Sequence, residues 1–205
     1  MTGIKICGLF RDCDIDYVNE ALPDYIGFIL HFPKSHRNLE PEQAGLLRQR
    51  LEPAIRAVGV FVDQPAGFVL GAARLAGLDV IQLHGHEDNA YIRTVQEESG
   101  LPVWKAFRIG RAPDLDAAAQ SVADCVLLDN GYGTGEMFDW SAAADFHRPF
   151  ILAGGLTPAL IPEAVRLMRP VIVDISSGVE TGRVKDREKI LAAVRAAHKE
   201  QNSVS

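Results

Sequence analysis

The sequence predicts an α/β protein, a single (β/α)8 TIM barrel, and three observations carry that prediction. Eight short apolar runs are spread along the 205 residues, and a longer, more polar segment follows each of them. The runs are almost continuously apolar, as strands are when both faces of a parallel sheet are buried. Eight strand-helix repeats are the number that closes this barrel, whose known examples span roughly 200 to 400 residues.

The eight apolar runs are the predicted strands. In chain order they are Gly3–Cys7, Tyr25–Leu30, Ala57–Val62, Val80–Leu83, Pro102–Ala106, Cys125–Asp129, Phe150–Ala153 and Val171–Asp174. A doubly wound open sheet is the main alternative. The first run lacks the G-x-G-x-x-G loop that usually follows the first strand of that fold, which favours the barrel.

The segments between the runs are the predicted helices, and several have recognisable ends. Pro41 is placed as a first helical residue and Gly77 as a stop. Thr157 and Pro158 form a cap followed by a first-turn proline. The predicted helices cover 12–21, 41–51, 65–76, 89–99, 114–122, a short segment capped by Ser141, a segment opening at Thr157 and 186–198. Without a linker or shift in composition, residues 1–200 are expected to form one domain and 201–205 a frayed tail.

Composition excludes several classes of protein. Apolar residues make up 47% and charged residues 23% of the chain, which is typical of a globular domain rather than a disordered one. The net charge is −6 and the sequence shows no basic stripe, so no nucleic-acid partner is expected. The absence of an 18-residue apolar stretch or a signal-type segment predicts no membrane association. Cys7, Cys13 and Cys125 show no metal-type spacing, which favours a reducing cytoplasm.

Two glycine-bearing turns predict a phosphate site at the carboxyl ends of strands 7 and 8. Gly154 and Gly155 follow strand 7, and Ser176, Ser177 and Gly178 follow strand 8. In many barrels the loops at these positions hold phosphate through backbone N–H groups. The serines would supply hydroxyls or cap a short helix. A lone Gly-Gly would favour a simple tight turn, whereas two such turns in these places favour phosphate.

Two further strand ends carry residues suited to proton transfer. Cys7 ends strand 1, where it is either an apolar filler or a thiolate that acts as base or nucleophile. Asp129 ends strand 6 and is either a cap of the loop at 130–132 or a general acid. Both positions belong to the end of a barrel where active sites lie.

Other polar residues near the strand ends are further candidates for the site. Arg37 could hold a substrate carboxylate in a bidentate pair, or belong to a solvated charged run. His31, His84 and His86 do not have the spacing of a metal motif, so no metal is expected. We expect His84 near the pocket and His86 at its rim.

A set of short motifs follows in order along the chain. They are Ile4–Leu9, Gly27-Phe28-Ile29, Lys34-Ser35-x-Arg37, Val58–Val62, Ile81–Gly85, Leu127–Asp129, Gly133-Thr134-Gly135-x-x-Phe138-Asp139-Trp140, Leu152–Leu156 and Asp174-x-Ser176-Ser177-Gly178-Val179-Glu180. The ordered set resembles the phosphoribosylanthranilate isomerase family over almost the whole chain. Single motifs are shared with other phosphate-binding barrels, but their order is specific. The chain departs from the family at His36, where Pro or Lys is usual, and at Tyr132, where Gly is usual.

The resemblance implies an Amadori rearrangement of N-(5-phosphoribosyl)anthranilate in tryptophan biosynthesis. Cys7 would be the general base, Asp129 the general acid and Arg37 the group that binds the anthranilate carboxylate. The two glycine-bearing turns would hold the phosphate. Gln82, His84 and Asp174 are expected to contact the sugar or ring. The reaction is redox-neutral, so no cofactor is expected, and the enzyme would be a monomer or homodimer whose partner is this small phosphorylated substrate.

Three other functions remained as alternatives. The aminoaldose isomerase of histidine biosynthesis resembles a duplicated half-barrel with an Asp at the ends of strands 1 and 5, where this chain has Cys7 and Ala106-Phe107. A pentose-phosphate epimerase would need metal ligands after strand 2, where His31-Phe32-Pro33 stands. A catalytically silent phosphate-binding barrel would not need both Cys7 and Asp129.

Overall fold

The computed structural model describes residues 2–109, 112–129 and 146–202. Eight barrel strands are formed by these residues: β1 (Gly3–Cys7), β2 (Tyr25–Leu30), β3 (Arg56–Phe61), β4 (Val80–Leu83), β5 (Val103–Arg108), β6 (Cys125–Asp129), β7 (Phe150–Ala153) and β8 (Ile172–Ile175). The helices around them are α1 (Asp12–Ala21), α2 (Pro41–Arg48), α3 (Ala66–Ala76), α4 (Asn89–Ser99), α5 (Ala112–Ala119), α6 (Ile161–Met168) and α7 (Arg187–Asn202).

The strands close into a ring, which confirms the barrel and excludes the open sheet. Each strand pairs in parallel with the next one along the chain, and β1 pairs with both β2 and β8. At the closing seam, Lys5 of β1 lies opposite Asp174 of β8, and on the other side of β1, Cys7 lies opposite Gly27 of β2. A two-residue piece, Asn38–Leu39, pairs in parallel with β2. Glu180–Thr181 and Val184–Lys185 form a hairpin that is a separate two-stranded sheet.

Most predicted boundaries agree within one to three residues, and two differences are informative. Helix α6 begins at Ile161 rather than at Thr157. The Thr157 carbonyl accepts hydrogen bonds from the backbone N–H groups of Leu160 and Ile161, so Thr157 opens a turn that precedes the helix. Helix α7 extends to Asn202 and includes two residues predicted to fray. The predicted helix at Ser141 and residues 203–205 lie outside the described residues.

The barrel has two apolar layers, and β1 contributes almost nothing to the inner one. The outer layer packs the strands against the helices and includes Ile4 and Ile6 of β1. The inner cluster takes residues from the other seven strands: Tyr25, Val58, Val80, Trp104, Ala106, Leu127, Ile151, Ala153 and Ile172. Because side chains alternate along a strand, the interior positions of β1 are Gly3, Lys5 and Cys7. The first strand therefore places a lysine and a cysteine side chain in the barrel interior.

Helix α2 approaches α3 closely at Gly45. A Cβ atom placed there would lie 2.9 Å from the carbonyl oxygen of Leu75, which is backbone and cannot rotate away. Gly71, within α3, is a matched contrast because a Cβ there meets no atom within 4 Å.

Of the helices that the structure describes, none is long and apolar enough to span a bilayer.

Replacing these two glycines by alanine should change stability in opposite directions. We expect Gly71→Ala to raise the free energy of unfolding by about 0.5–1 kcal/mol, because alanine restricts the unfolded chain and favours the helix. Gly45→Ala should lower it by roughly 1–3 kcal/mol, because the added methyl pushes the helices apart. Urea denaturation of both variants measures this. Equal stabilisation by both substitutions would show that the approach of α2 to α3 is not tight.

Candidate active site

A cavity of about 260 Å³ opens at the carboxyl ends of the strands, the end at which a site was predicted. Its walls come from the ends of strands and the loops that follow them. They are formed by Cys7, Ile29, Val60, Gln82, His84, Asp129, Ala153, Gly154, Gly155, Leu156, Asp174, Ile175, Ser176 and Ser177. Of the predicted site residues, all line this cavity except Arg37 and Gly178.

Cys7 lies at the end of β1, almost completely buried against β2. Gly27 makes room for it: a Cβ atom at that position would lie 2.8 Å from the Cys7 sulfur. Burial raises the pKa of the Cys7 thiol above its ordinary value, while the Lys5 ammonium opposes this rise. The thiol is therefore not a filler of the apolar core, since it faces the cavity and a buried cation.

Asp129 stands at the end of β6 and lies close to His84. Its Oδ2 is 3.4 Å from Nε2 of His84, and Nδ1 of His84 is 3.3 Å from the side-chain nitrogen of Gln82. An amide NH2 can only donate, so Nδ1 accepts and the imidazole proton is assigned to Nε2, facing Asp129. The two neighbours from β4 and its loop thus orient the carboxyl group at the cavity wall.

Two polar atoms in the cavity wall lack partners among the described residues. They are Oε1 of Gln82 and Oδ1 of Asp174, and both side chains are buried. A buried acceptor without a donor is unfavourable by roughly 1–3 kcal/mol. Because both residues line the cavity, hydroxyl or amine groups of a bound molecule could satisfy them.

The loops after β7 and β8 meet at one side of the cavity. Gly154 and Gly155 have φ angles of +93° and +64°, a region that favours glycine. Gly178 does not line the cavity, because it packs against the backbone of the other loop. A Cβ there would overlap the carbonyl oxygen of Leu156. Glycine at 178 thus allows the two loops to touch.

Of the two roles predicted for Ser176, a helix cap or a free hydroxyl, its side chain does not form the cap. Its hydroxyl donates to the carbonyl oxygen of Cys7 at 3.0 Å, and the short 3₁₀ helix Ser177–Val179 receives no side-chain cap from it. Ser176 therefore ties the loop after β8 to the end of β1. The backbone N–H groups of Ser177 and Gly178 begin this helix, where no intrahelical partner exists.

Arg37 lies beside the cavity, in a tight ion pair. Its Nε and Nη2 donate to the two carboxylate oxygens of Glu180 at 2.7 and 2.8 Å. The ammonium of Lys185 also donates to Glu180, at 2.8 Å. Burial alone would raise the pKa of Glu180, but these two partners lower it to about 2. Arg37 is only 18% exposed, so it does not belong to a solvated charged run.

Lys5, Lys185 and Glu180 are not among the site residues predicted from the sequence. All three are charged residues buried near Cys7 or Arg37, and the two lysine side chains are 0% exposed. One signal was visible for Lys5: it stands two residues before Cys7 in an apolar strand, so it shares the same face. The pairing of Glu180 with Arg37 spans 143 positions, and no sequence periodicity reveals it.

The three histidines lie in different surroundings. His84 lines the cavity, whereas His86 is 95% exposed and contacts Asp63. His31 pairs with Glu40. Among the residues that the structure describes, no three histidine, cysteine or carboxylate side chains are grouped so that they could hold a metal ion.

Comparison with known proteins points to one family. The family described as N-(5'-phosphoribosyl)anthranilate (PRA) isomerase matches residues 4–196. The curated N-(5'-phosphoribosyl)anthranilate isomerase of Acetivibrio thermocellus is 41% identical over 204 residues, covering 93% of each chain. That of Thermoanaerobacter sp. (strain X514) is 43% identical, covering 93% of this chain and 95% of the relative.

Solved structures agree with the sequence comparison. Phosphoribosyl anthranilate isomerase from Thermotoga maritima superposes with a TM-score of 0.89 at 34% identity, covering 97% of this chain and all of that one. Another solved phosphoribosyl anthranilate isomerase, in complex with reduced 1-(o-carboxyphenylamino)-1-deoxyribulose 5-phosphate, gives 0.87 at 33% identity with the same coverage. With a sequence match and a fold match that both span nearly the whole chain, this protein belongs to the phosphoribosylanthranilate isomerase family.

Proposed function

We propose that this chain converts N-(5-phosphoribosyl)anthranilate to 1-(2-carboxyphenylamino)-1-deoxyribulose 5-phosphate by general acid–base catalysis. One observation carries the residue assignment. Cys7 and Asp129 line the same cavity as both glycine-bearing loops. They stand on β1 and β6, which β7 and β8 separate, so the two groups approach a bound sugar from different sides.

Asp129 is the proposed general acid. The substrate is a closed furanose, and its ring oxygen must gain a proton before the ring opens to a Schiff base. A carboxyl group at the cavity wall, oriented by His84 at 3.4 Å, is suited to deliver that proton. Histidine donation to the carboxylate would also steady the group after the proton has left.

Cys7 is the proposed general base. Once the Schiff base has formed, the C2′ proton becomes acidic and a thiolate can remove it. The resulting enolamine then takes up a proton and becomes the ketone, so no electrons are gained or lost overall. Each positioned proton donor or acceptor contributes about 10²–10⁴-fold in rate.

Anchors at the two ends of the substrate would fix the sugar between acid and base. The loops carrying Gly154-Gly155 and Ser176–Gly178 are the proposed phosphate site. The edge of the Arg37 guanidinium that does not face Glu180 is the proposed partner of the anthranilate carboxylate. The unpaired oxygens of Gln82 and Asp174, together with His84, are the proposed contacts to the sugar or ring.

We also propose a cytoplasmic enzyme that is a monomer or homodimer. Its three cysteines are free, which suits a reducing compartment. A solved relative from Thermotoga maritima is named as a dimeric enzyme from which monomers were generated.

The direct test is catalysed loss of fluorescence from freshly prepared phosphoribosylanthranilate, with EDTA present throughout. We expect wild-type protein to catalyse it, because proton transfers from a carboxyl group to the substrate and from the substrate to a thiolate need no metal. Cys7→Ala and Asp129→Asn should each lower kcat by about 10²–10⁴-fold while the circular dichroism spectrum is retained. Near-wild-type turnover in either variant would overturn its role. A folded but inactive wild type would leave a phosphate-binding barrel of another specificity, to be assayed with the histidine-pathway aminoaldose.

Gly178→Ala tests the phosphate site. The new methyl would displace the loop after β8 from Leu156, so we expect KM to rise about tenfold or more, with a smaller change in kcat. Competitive inhibition by inorganic phosphate should weaken in parallel. Gly71→Ala is the control, since its Cβ meets nothing. Unchanged phosphate inhibition in Gly178→Ala would place the phosphate elsewhere.

Arg37→Met tests the carboxylate anchor. Loss of charge-assisted hydrogen bonds should raise KM roughly tenfold to a hundredfold. The control is Arg183→Met, which removes an arginine of the neighbouring hairpin that contacts His36 rather than Glu180. If both variants show wild-type KM, the carboxylate is held by another group.

A further inference from the structure

We propose that Lys5 is the positioning residue of the general base, holding the Cys7 sulfur in place and compensating its negative charge as thiolate. The ammonium is itself held by Asp174. This inference rests on the proposed function for the identity of the base, but the contact between the two side chains can be tested without any substrate.

The side chains of Lys5 and Cys7 lie close together inside the barrel. Lys5 and Cys7 face the barrel interior from β1, and Gly27 of β2 leaves the space between them. The Cβ position of Gly27 lies 2.8 Å from the sulfur, 3.1 Å from Cε of Lys5 and 3.1 Å from its Nζ. Any larger residue at 27 would displace the sulfur, the ammonium or both.

A hydrogen bond across the barrel seam holds the Lys5 ammonium in place. Nζ of Lys5 donates to Oδ2 of Asp174 at 2.8 Å, across the seam between β1 and β8. An ammonium has three N–H donors, and this contact uses one of them. Although burial opposes the charge, Asp174 and Cys7 raise the pKa of Lys5, so it remains protonated at neutral pH.

The charged groups around the Cys7 sulfur include more cations than carboxylates. The charged groups that face Cys7 or its immediate neighbours are Lys5 of β1, Asp174 of β8, Lys185 and Glu180 of the hairpin after β8, and Arg37 of the loop after β2. Three of these are cations and two are carboxylates. A thiolate at Cys7 would neutralise the remaining positive charge, whereas a neutral thiol leaves it uncompensated.

A purely structural role explains this arrangement poorly. Replacing a buried ion pair by apolar residues is often neutral or stabilising. The rest of the inner cluster is apolar and supplied by the other seven strands. Lys5 and Asp174 lie in that interior, next to Cys7. Among the described residues, Cys7 is the only cysteine that lines the cavity. The buried lysine and carboxylate are therefore better explained by the chemistry of the Cys7 sulfur.

The test is the pH dependence of Cys7 alkylation by iodoacetamide, followed by mass spectrometry of tryptic peptides. Trypsin cuts after Arg11, which separates Cys7 from Cys13 in wild-type protein and in the Lys5 variants. We expect Lys5→Met to lower the alkylation rate of Cys7 at pH 7 by about tenfold, because loss of a nearby cation disfavours the thiolate. The acid limb of kcat/KM should move to higher pH in the same variant.

The matched control is Lys105→Met. Lys105 is also a buried lysine in an ion pair, 3.2 Å from Glu87, but it lies on β5 and does not line the cavity. Its substitution should leave the alkylation profile of Cys7 unchanged. An equal loss of alkylation in both variants would indicate general loosening of the barrel and would overturn the inference.

A second variant keeps the test decisive if Lys5→Met does not fold. Lys5→Met/Asp174→Asn removes both charges and leaves no buried ion unpaired. Because the Lys5 ammonium lies beside the sulfur, its removal should still make alkylation slower than in wild type. A wild-type or faster profile in the folded variant would overturn the inference.

The outcomes separate this inference from the proposed function. If wild-type protein isomerises the substrate but Lys5→Met titrates like wild type, the role of Lys5 is wrong and the enzyme assignment stands. If wild-type protein is inactive and Lys5→Met still shifts the alkylation profile, the Lys5–Cys7 coupling stands and the assigned reaction is wrong.

Discussion

Closure of the barrel between β1 and β8 is the constraint on which the rest of the structure depends. Lys5 and Asp174, whose ion pair crosses this seam, are 169 positions apart, and so are Ser176 and Cys7, which are joined by a hydrogen bond. The Arg37–Glu180 pair brings the loop after β2 to the same side. Without the seam, the Lys5 ammonium beside Cys7 would lose its carboxylate partner, and the cavity would lose its second wall.

Apolar residues and polar residues occupy different parts of the barrel interior. An apolar cluster from seven strands fills it, and the polar residues concentrate on β1, β8 and the mouth. Buried charges are unfavourable unless they are paired and hydrogen-bonded. Here Lys5 is paired with Asp174, and Lys185 with Glu180, so the desolvation of the charges is offset in place. Oε1 of Gln82 and Oδ1 of Asp174 are unpaired among the described residues, and both residues line the cavity.

The sequence predicted the strands, their parallel pairing and most of the cavity wall, because those features follow local rules. Apolar runs mark buried strands, and in this fold the carboxyl ends of all strands meet at one mouth, so Cys7 and Asp129 could be placed together. What it could not predict depends on distant pairs. Glu180 as the partner of Arg37, and Ser176 as a donor to Cys7 rather than a cap, appear only when the ring is closed. Thr157 satisfied the pattern of a helix cap, but the chain makes one further turn before α6.

The position of the seam also has a consequence for the timing of synthesis. A ribosome adds about 5–20 residues per second, so roughly ten to thirty seconds separate Lys5 from Asp174, 169 positions later. Until β8 emerges, the ammonium and the thiol of β1 remain in water, where neither is desolvated. The nascent chain can therefore assemble its apolar strands first and bury its charges last. The Cys7 sulfur therefore gains a buried, paired ammonium beside it only after β8 has been synthesised.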